Sequence, residues 1–268
     1  DYCRLRASAA AGRIAGSIAA AAMRVYLSHY YRRADLVLSP SRATADALRG
    51  WIRRPIRVLG RGVDSTLFHP ARRNRSRSEP IRALYVGRVA VEKGLDALVP
   101  LLHRHPEISL TVVGDGPWLA EMRRRLPAAR FTGTLRGEDL AVEYANADFF
   151  VFPSKTDTFG NVILEAMSSG LPAVVTDRGG PAEIVRDGVD GFIAPTPRAF
   201  EWAVLALSRD SALRERMARA ARDAAERRSW NAIFGSLLQI YSEAMHLRVS
   251  RAPDTAPVRT AVVLPEAR

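Results

Sequence analysis

The sequence predicts an α/β protein: a doubly wound parallel sheet preceded by the remnant of a second domain of the same kind. Three observations carry this expectation. From residue 81 on, apolar, β-branched runs of strand length alternate with helical patterns, as in a parallel sheet covered by helices on both faces. One run, "FFVF" at 149–152, is near-continuously apolar, which suits a strand buried from both sides. Ahead of residue 81 the chain offers two strand-like and two helical runs, too few for a domain of this class.

Taken in order, a helical pattern at 12–32 leads into "ADLVLSPS", a short buried strand. Ser41 then stands as the N-cap of a helix at 42–50, because its hydroxyl can accept from a backbone N–H of the first turn. "PIRVLGRGVD" reads as one more strand and a turn, and the arginine-rich stretch at 71–80 as a linker. The strands of the main sheet are "IRALYVGRV", "ISLTVVG", "ARFTGT", "DFFVFPS", "PAVVTD" and "GFIAP". Helices at 94–104, 117–126, 138–147, 160–169 and 180–187 separate them. Past 197 the pattern is helical to about 247, with Trp202, Leu205, Trp230, Ile233, Leu237 and Tyr241 as expected buried anchors. The proline-bearing tail is expected to be mobile. The implied organisation is a remnant at 1–70, a basic linker at 71–80, the main domain at 81–229, a crossing helix at 230–248 and a tail at 249–268.

Composition sets limits on the class. At 268 residues, 47% hydrophobic and 25% charged, the chain has the make-up of a soluble globular protein. No uninterrupted apolar run reaches 18 residues, so no transmembrane helix is expected. The alanine-rich opening lacks a cleavage-like site, and the start at Asp1 suggests a true N-terminus further upstream. Cys3 is the sole cysteine, which excludes an internal disulfide and fits a reducing cytoplasm. Net charge is +12, of which residues 1–80 hold 16 Arg against 5 acids. A solvated arginine-rich surface explains that excess, and so does attraction to anionic lipid at the inner face of a membrane. Nucleic acid is not expected as a partner, since no aromatic-basic stacking array or helix-turn-helix pattern accompanies the charge.

Three stretches carry candidate chemistry. In "VGRVAVEKG" a strand ends at Gly87, and Arg88 and Lys93 follow on the loop and helix start. Strand C-termini face the ligand crevice in doubly wound sheets, so two cations there suit a diphosphate, Arg88 as a fork and Lys93 as a point charge. Plain surface cations in a loop would read the same way. The phosphate-cradling G-x-x-x-x-G-K-[ST] pattern is absent. In "VVGDGP", Gly114 and Gly116 turn the chain off a strand, a structural role that also lets the backbone approach a ligand. Leu135, in "FTGTLRGEDL", sits at the end of the next strand, where it can cover a flat base or simply fill a turn.

The third stretch is "PSKTDTFGNVILEAMSSG". Asp157 ends a loop, and Phe159, Gly160 and Asn161 bring backbone N–H groups to a helix start. Glu165 follows about one turn in, among Val162, Ile163, Leu164, Ala166 and Met167. A carboxylate so crowded is costly unless it is paired or hydrogen-bonded, and sugar hydroxyls can donate to it. An acid favoured merely by the helix dipole accounts for Asp157 better than for Glu165.

In this order the motifs, from "SPSRATADAL" through "RGVDSTLFHP" and "VVGDGP" to "TDTFGNVILEAMSSGLPAVVTDRGGPAEIVRDGVDGFI", resemble the retaining nucleotide-sugar glycosyltransferases of the GT-B fold, family-four group. The resemblance covers about residues 30–247 and implies two Rossmann-like domains, of which this chain holds the donor-binding C-terminal one and a remnant of the acceptor-side one. It implies Arg88 and Lys93 on the donor diphosphate, Asp157 on the donor sugar, Glu165 on the ribose, and the Phe159–Asn161 backbone near the sugar and phosphate; Gly87, Gly114 and Leu135, at strand ends, are further donor-binding candidates. The family's usual first acid is Glu, and Asp157 is a shorter departure from it. "TDTFG" resembles α-mannosyltransferases that use GDP-mannose, so the implied reaction is retaining transfer of mannose to an acceptor hydroxyl of a lipid or glycan. No cofactor or metal is expected, since no Asp-x-Asp motif appears. A UDP-sugar donor, and a nucleotide-sugar-binding fragment without transfer activity, are the alternatives. About 70 residues precede the linker, where a complete domain needs ~150, so a missing portion or a partner is expected.

Overall fold

The computed structural model describes residues 2–76 and 80–249, and the side chains of residues 17–76 and 80–247. The tail from residue 250, Arg77 of the expected linker and the side chain of Cys3 lie outside the described residues.

The chain opens with α1 (Tyr2–Tyr31), which starts ten residues before the expected boundary, as the helix propensity of its alanines allows. The small first lobe follows: β1 (Val37–Ser39), α2 (Arg42–Arg49) and β2 (Ile56–Val58), the two strands pairing in parallel. Its own core is Val37, Ala45, Ile52 and Ile56. Ser41 caps α2 as expected, with Oγ accepting from the Thr44 N–H at 3.2 Å.

The main sheet comprises β3 (Arg82–Val86), β4 (Ser109–Val113), β5 (Arg130–Gly133), β6 (Phe149–Phe152), β7 (Ala173–Thr176) and β8 (Gly191–Ala194). All pairs are parallel, in the order β5-β4-β3-β6-β7-β8. The helices between the strands are α3 (Leu98–Arg104), α4 (Leu119–Arg125), α5 (Gly137–Ala145), α6 (Asn161–Ser168) and α7 (Pro181–Ile184). The chain closes with α8 (Pro197–Arg209), α9 (Ser211–Glu226) and α10 (Trp230–Val249). Every residue of β6 and β7 is buried, which is why these strands are apolar on both faces rather than alternating. Strand order reverses between β3 and β6. In a doubly wound sheet that reversal splays the two following loops apart and opens a crevice at the strand C-termini.

Two expectations change. The arginine-rich stretch is docked rather than a free solvated linker: Arg73 and Arg75 bind the Asp148 carboxylate at 2.8 and 3.1 Å, and the Arg75 side chain is 6% exposed. Arg72 pairs with Glu138 at 3.4 Å. The expected anchors are not all inside. Trp202, Trp230 and Tyr241 are exposed, and Leu205, Ile233 and Leu237 are only half-buried. On α8 the buried face is Phe200, Ala203, Val204 and Leu207, and Trp202 falls outside that spacing. On α10 apolar residues occur on all sides. The half-buried seam is Ile233, Leu237, Ile240 and Ala244, while Trp230, Phe234, Leu238, Tyr241 and Met245 face outward.

Candidate functional site

A cleft of about 950 Å³ opens where the strand order reverses. Its walls are the loop after β3, the loop after β6 with the start of α6, and residues Ala43, Thr44, Ala47 and Arg61 of the first lobe. Gly87, Arg88, Lys93, Asp157, Phe159, Gly160 and Asn161, all singled out from the sequence, line this one cavity. Gly114, Leu135 and Glu165 do not line it.

Local backbone chemistry explains the arrangement. The loop after β3 lies against the turn after β4: Gly87 N–H donates to Val113 O at 3.0 Å and Val89 N–H to Asp115 O at 2.9 Å. A Cβ on Gly114, whose φ is +135°, would come within 2.0 Å of Gly87 O. Gly114 therefore seats the loop that presents Arg88. The hydroxyl of buried Tyr85 donates to Arg88 O at 3.0 Å and steadies the same loop. Burial, then the Asp157 and Glu92 carboxylates, push the Tyr85 hydroxyl well above the usual tyrosine range, so it stays a donor. Leu135 instead packs half-buried against the core.

Lys93 ends a 3-10 turn at Val91–Lys93, and its Nζ meets Asp157 Oδ1 at 2.7 Å, the two side chains being 20% and 19% exposed. The other oxygen, Asp157 Oδ2, is buried and has no hydrogen-bond partner among the described residues. A buried carboxylate oxygen without a donor is costly. Arg88 sits further out, 3.3 Å from Glu92. Four cations, Arg61, Arg88, Lys93 and Lys155, and two carboxylates, Glu92 and Asp157, line the cleft. Arg61 and Lys155 were not singled out from the sequence. Lys155 lies within the quoted motif, whereas Arg61 reaches the cleft only through the fold.

Gly160 occupies the N-cap of α6 with φ +98° and brings no side-chain cap. Ile163 N–H donates to Gly160 O at 3.0 Å, whereas the N–H groups ahead of it lack intrahelical acceptors and carry the positive end of the dipole, so the helix start presents partial positive charge to the cleft. Along α6 only Asn161, Val162 and Glu165 escape full burial. Residues three and four apart share a helix face, so Glu165 continues the strip that Asn161 and Val162 begin at the cleft. Its Oε2 accepts from the Tyr144 hydroxyl at 2.9 Å. Burial raises the Glu165 carboxyl above its ordinary range, and the Tyr144 hydrogen bond opposes that rise only in part.

Glu183 of α7 accepts from the N–H groups of Arg42 and Ala43 at 2.7 and 2.6 Å. A carboxylate of the main domain thus caps the helix of the first lobe, a contact no local pattern announces.

Residues 70–224 match the family described as glycosyl transferases group 1. This chain belongs to that glycosyltransferase family. Two relatives called GDP-mannose-dependent alpha-mannosyltransferase agree with it. That of Corynebacterium glutamicum is 36% identical over 78% of this chain and 53% of its own length. That of Mycolicibacterium smegmatis is 35% identical over 88% of this chain and 64% of its own. A sulfoquinovosyl transferase of Arabidopsis thaliana is 37% identical over 75% of this chain and 43% of its own. The chain thus spans roughly half the length of these relatives. Among solved structures, sucrose-phosphate synthase of Thermosynechococcus elongatus superposes with a TM-score of 0.75 at 25% identity, over 83% of this chain and 61% of that one. Anabaena HepE, solved with UDP and glucose, superposes at 0.72 and 23% identity, over 82% and 66%. The glycosyltransferase fold is the GT-B one, here with its six-stranded parallel sheet. Among the described residues, no helix is long and apolar enough to cross a membrane.

Proposed function

We propose that this glycosyltransferase chain binds a nucleoside-diphosphate hexose, GDP-mannose, and transfers the hexose to an acceptor hydroxyl of a lipid or glycan with retention at the anomeric carbon. The observation that carries the reading is the convergence of Arg88, Lys93, the α6 start and Asp157 on one cleft. As the bond between the anomeric carbon and the diphosphate oxygen breaks, negative charge grows on the phosphate. Arg88, Lys93 and the helix start face that charge without reorganising. The acceptor oxygen then bonds to the anomeric carbon on the face the diphosphate leaves, and its proton passes to the departing phosphate oxygen. A hexose hydroxyl donates to the Asp157 carboxylate, which lines the cleft. A ribose hydroxyl donates to Glu165, one turn further along α6.

The reading assigns charge stabilisation to the protein's own cations, so turnover is expected to survive EDTA. The names of the mannosyltransferase relatives favour GDP-mannose. The sulfoquinovosyl transferase favours a second reading, the same cleft with another sugar nucleotide. Calorimetric titration with GDP-mannose and with UDP-glucose separates the two: tighter GDP-mannose binding is expected, tighter UDP-glucose binding selects the second reading, and binding of neither removes both. The anomeric configuration of the product, read by NMR coupling constants, tests retention.

A further inference from the structure

We propose that Tyr144 is a positioning residue for the nucleotide: its hydroxyl holds one oxygen of Glu165 so that the other stays aimed at the ribose. This rests on the reading of Glu165 as the ribose acid. Tyr144 is fully buried on α5, and its hydroxyl stands 2.9 Å from Glu165 Oε2 and 3.2 Å from Val162 O. One phenolic proton serves one acceptor at a time, and the nearer, ionisable oxygen is the stronger acceptor. The ring cannot drift. Phe68 meets it edge-on at 5.6 Å and Phe150 lies at 5.9 Å, both packed in the main core.

Glu165 Oε1, by contrast, accepts no hydrogen bond among the described residues. The pair therefore presents one tethered and one available oxygen on the single unburied strip of α6, directly below cleft-lining Asn161 and Val162. An untethered glutamate has three rotatable bonds and would share its time among rotamers. A tether that fixes the carboxylate before the nucleotide arrives lowers the cost of binding. Burial, followed by Glu165 itself, holds the phenol protonated, so the tether persists as a donor.

The test measures binding of GDP and of inorganic pyrophosphate to the wild type, Tyr144→Phe, Glu165→Gln and the double variant, with near-UV circular dichroism to verify folding. Removing a hydrogen bond to a charged group predicts roughly 10-fold or more weaker GDP binding for Tyr144→Phe. Pyrophosphate, which has no ribose, is expected to bind unchanged. The double variant is expected to be no worse than Glu165→Gln alone, because both changes remove one function. Equal weakening of GDP and pyrophosphate, or a Tyr144→Phe variant that binds GDP normally while Glu165→Gln does not, overturns the proposal and leaves the ribose role of Glu165 intact. Normal GDP binding by Glu165→Gln removes that role, and the proposal with it. If Tyr144→Phe does not fold, Glu165→Asp withdraws the carboxylate from the hydroxyl by one methylene. It is then expected to weaken GDP as much as Glu165→Gln does, and undiminished binding overturns the proposal.

Discussion

Replacing Lys93 by Ala takes a cation from the cleft and leaves both oxygens of Asp157, a carboxylate four-fifths withdrawn from water, without a donor among the described residues. On the proposed chemistry turnover falls by roughly 10²–10³, measured as kcat with a saturating donor. An unchanged kcat would take Lys93 out of the mechanism. Asp148 gives a residue-scale test of stability instead. Burial pushes its carboxyl up, but the Arg82 N–H at 2.9 Å and the Arg73 and Arg75 guanidinium groups outweigh that and hold it below the ordinary range. A lowered folded-state pKa means that the stabilisation is complete above the unfolded value and disappears as pH falls through the folded one. Asp148→Asn is therefore expected to cost roughly 3–5 kcal/mol near neutral pH and to flatten the acid side of the stability profile in urea titrations. Glu165 has the opposite sign. Its raised carboxyl makes folding less favourable as pH rises from the ordinary carboxylate range through the folded value, and Glu165→Gln should remove that decline.

At the scale of elements, α6 links fold to cleft. Gly160→Ala forces an L-residue into φ +98° and puts its Cβ 2.9 Å from Ile163 Cδ1, for a loss of about 1–2 kcal/mol in thermal unfolding together with weaker donor binding. Retained affinity in a destabilised variant would show that the helix start does not touch the donor. Elements whose ends are fixed locally were legible in the sequence. Ser41 reaches its acceptor role three residues on, and the alternation of apolar runs marked every strand of the main sheet. What escaped was held by distant partners. Glu183 caps a helix 141 residues earlier, Arg73 finds Asp148 75 residues later, and Tyr144 meets Glu165 across a packed helix pair. The α10 anchors were misjudged for another reason: apolar residues all round a helix do not reveal which side is covered.

Across the whole molecule, the strand order places β3 and β6 side by side at the centre of six strands. Phe150 of β6 is fully buried and packs on Phe152 at 6.0 Å, so Phe150→Ala is expected to cost about 3–5 kcal/mol by denaturant titration. A cost under about 1 kcal/mol would mean that this centre is not the main cohesive layer. The same placement bears on the candidate site as a whole. Both loops that supply its charges, Arg61 of the first lobe aside, spring from these two strands, while the outer strands β5 and β8 contribute nothing to the cavity lining. Fraying at either edge of the sheet, or sequence drift there, can thus proceed without loosening the two charged loops. Amide exchange should report this as β3 and β6 surrendering their protons last.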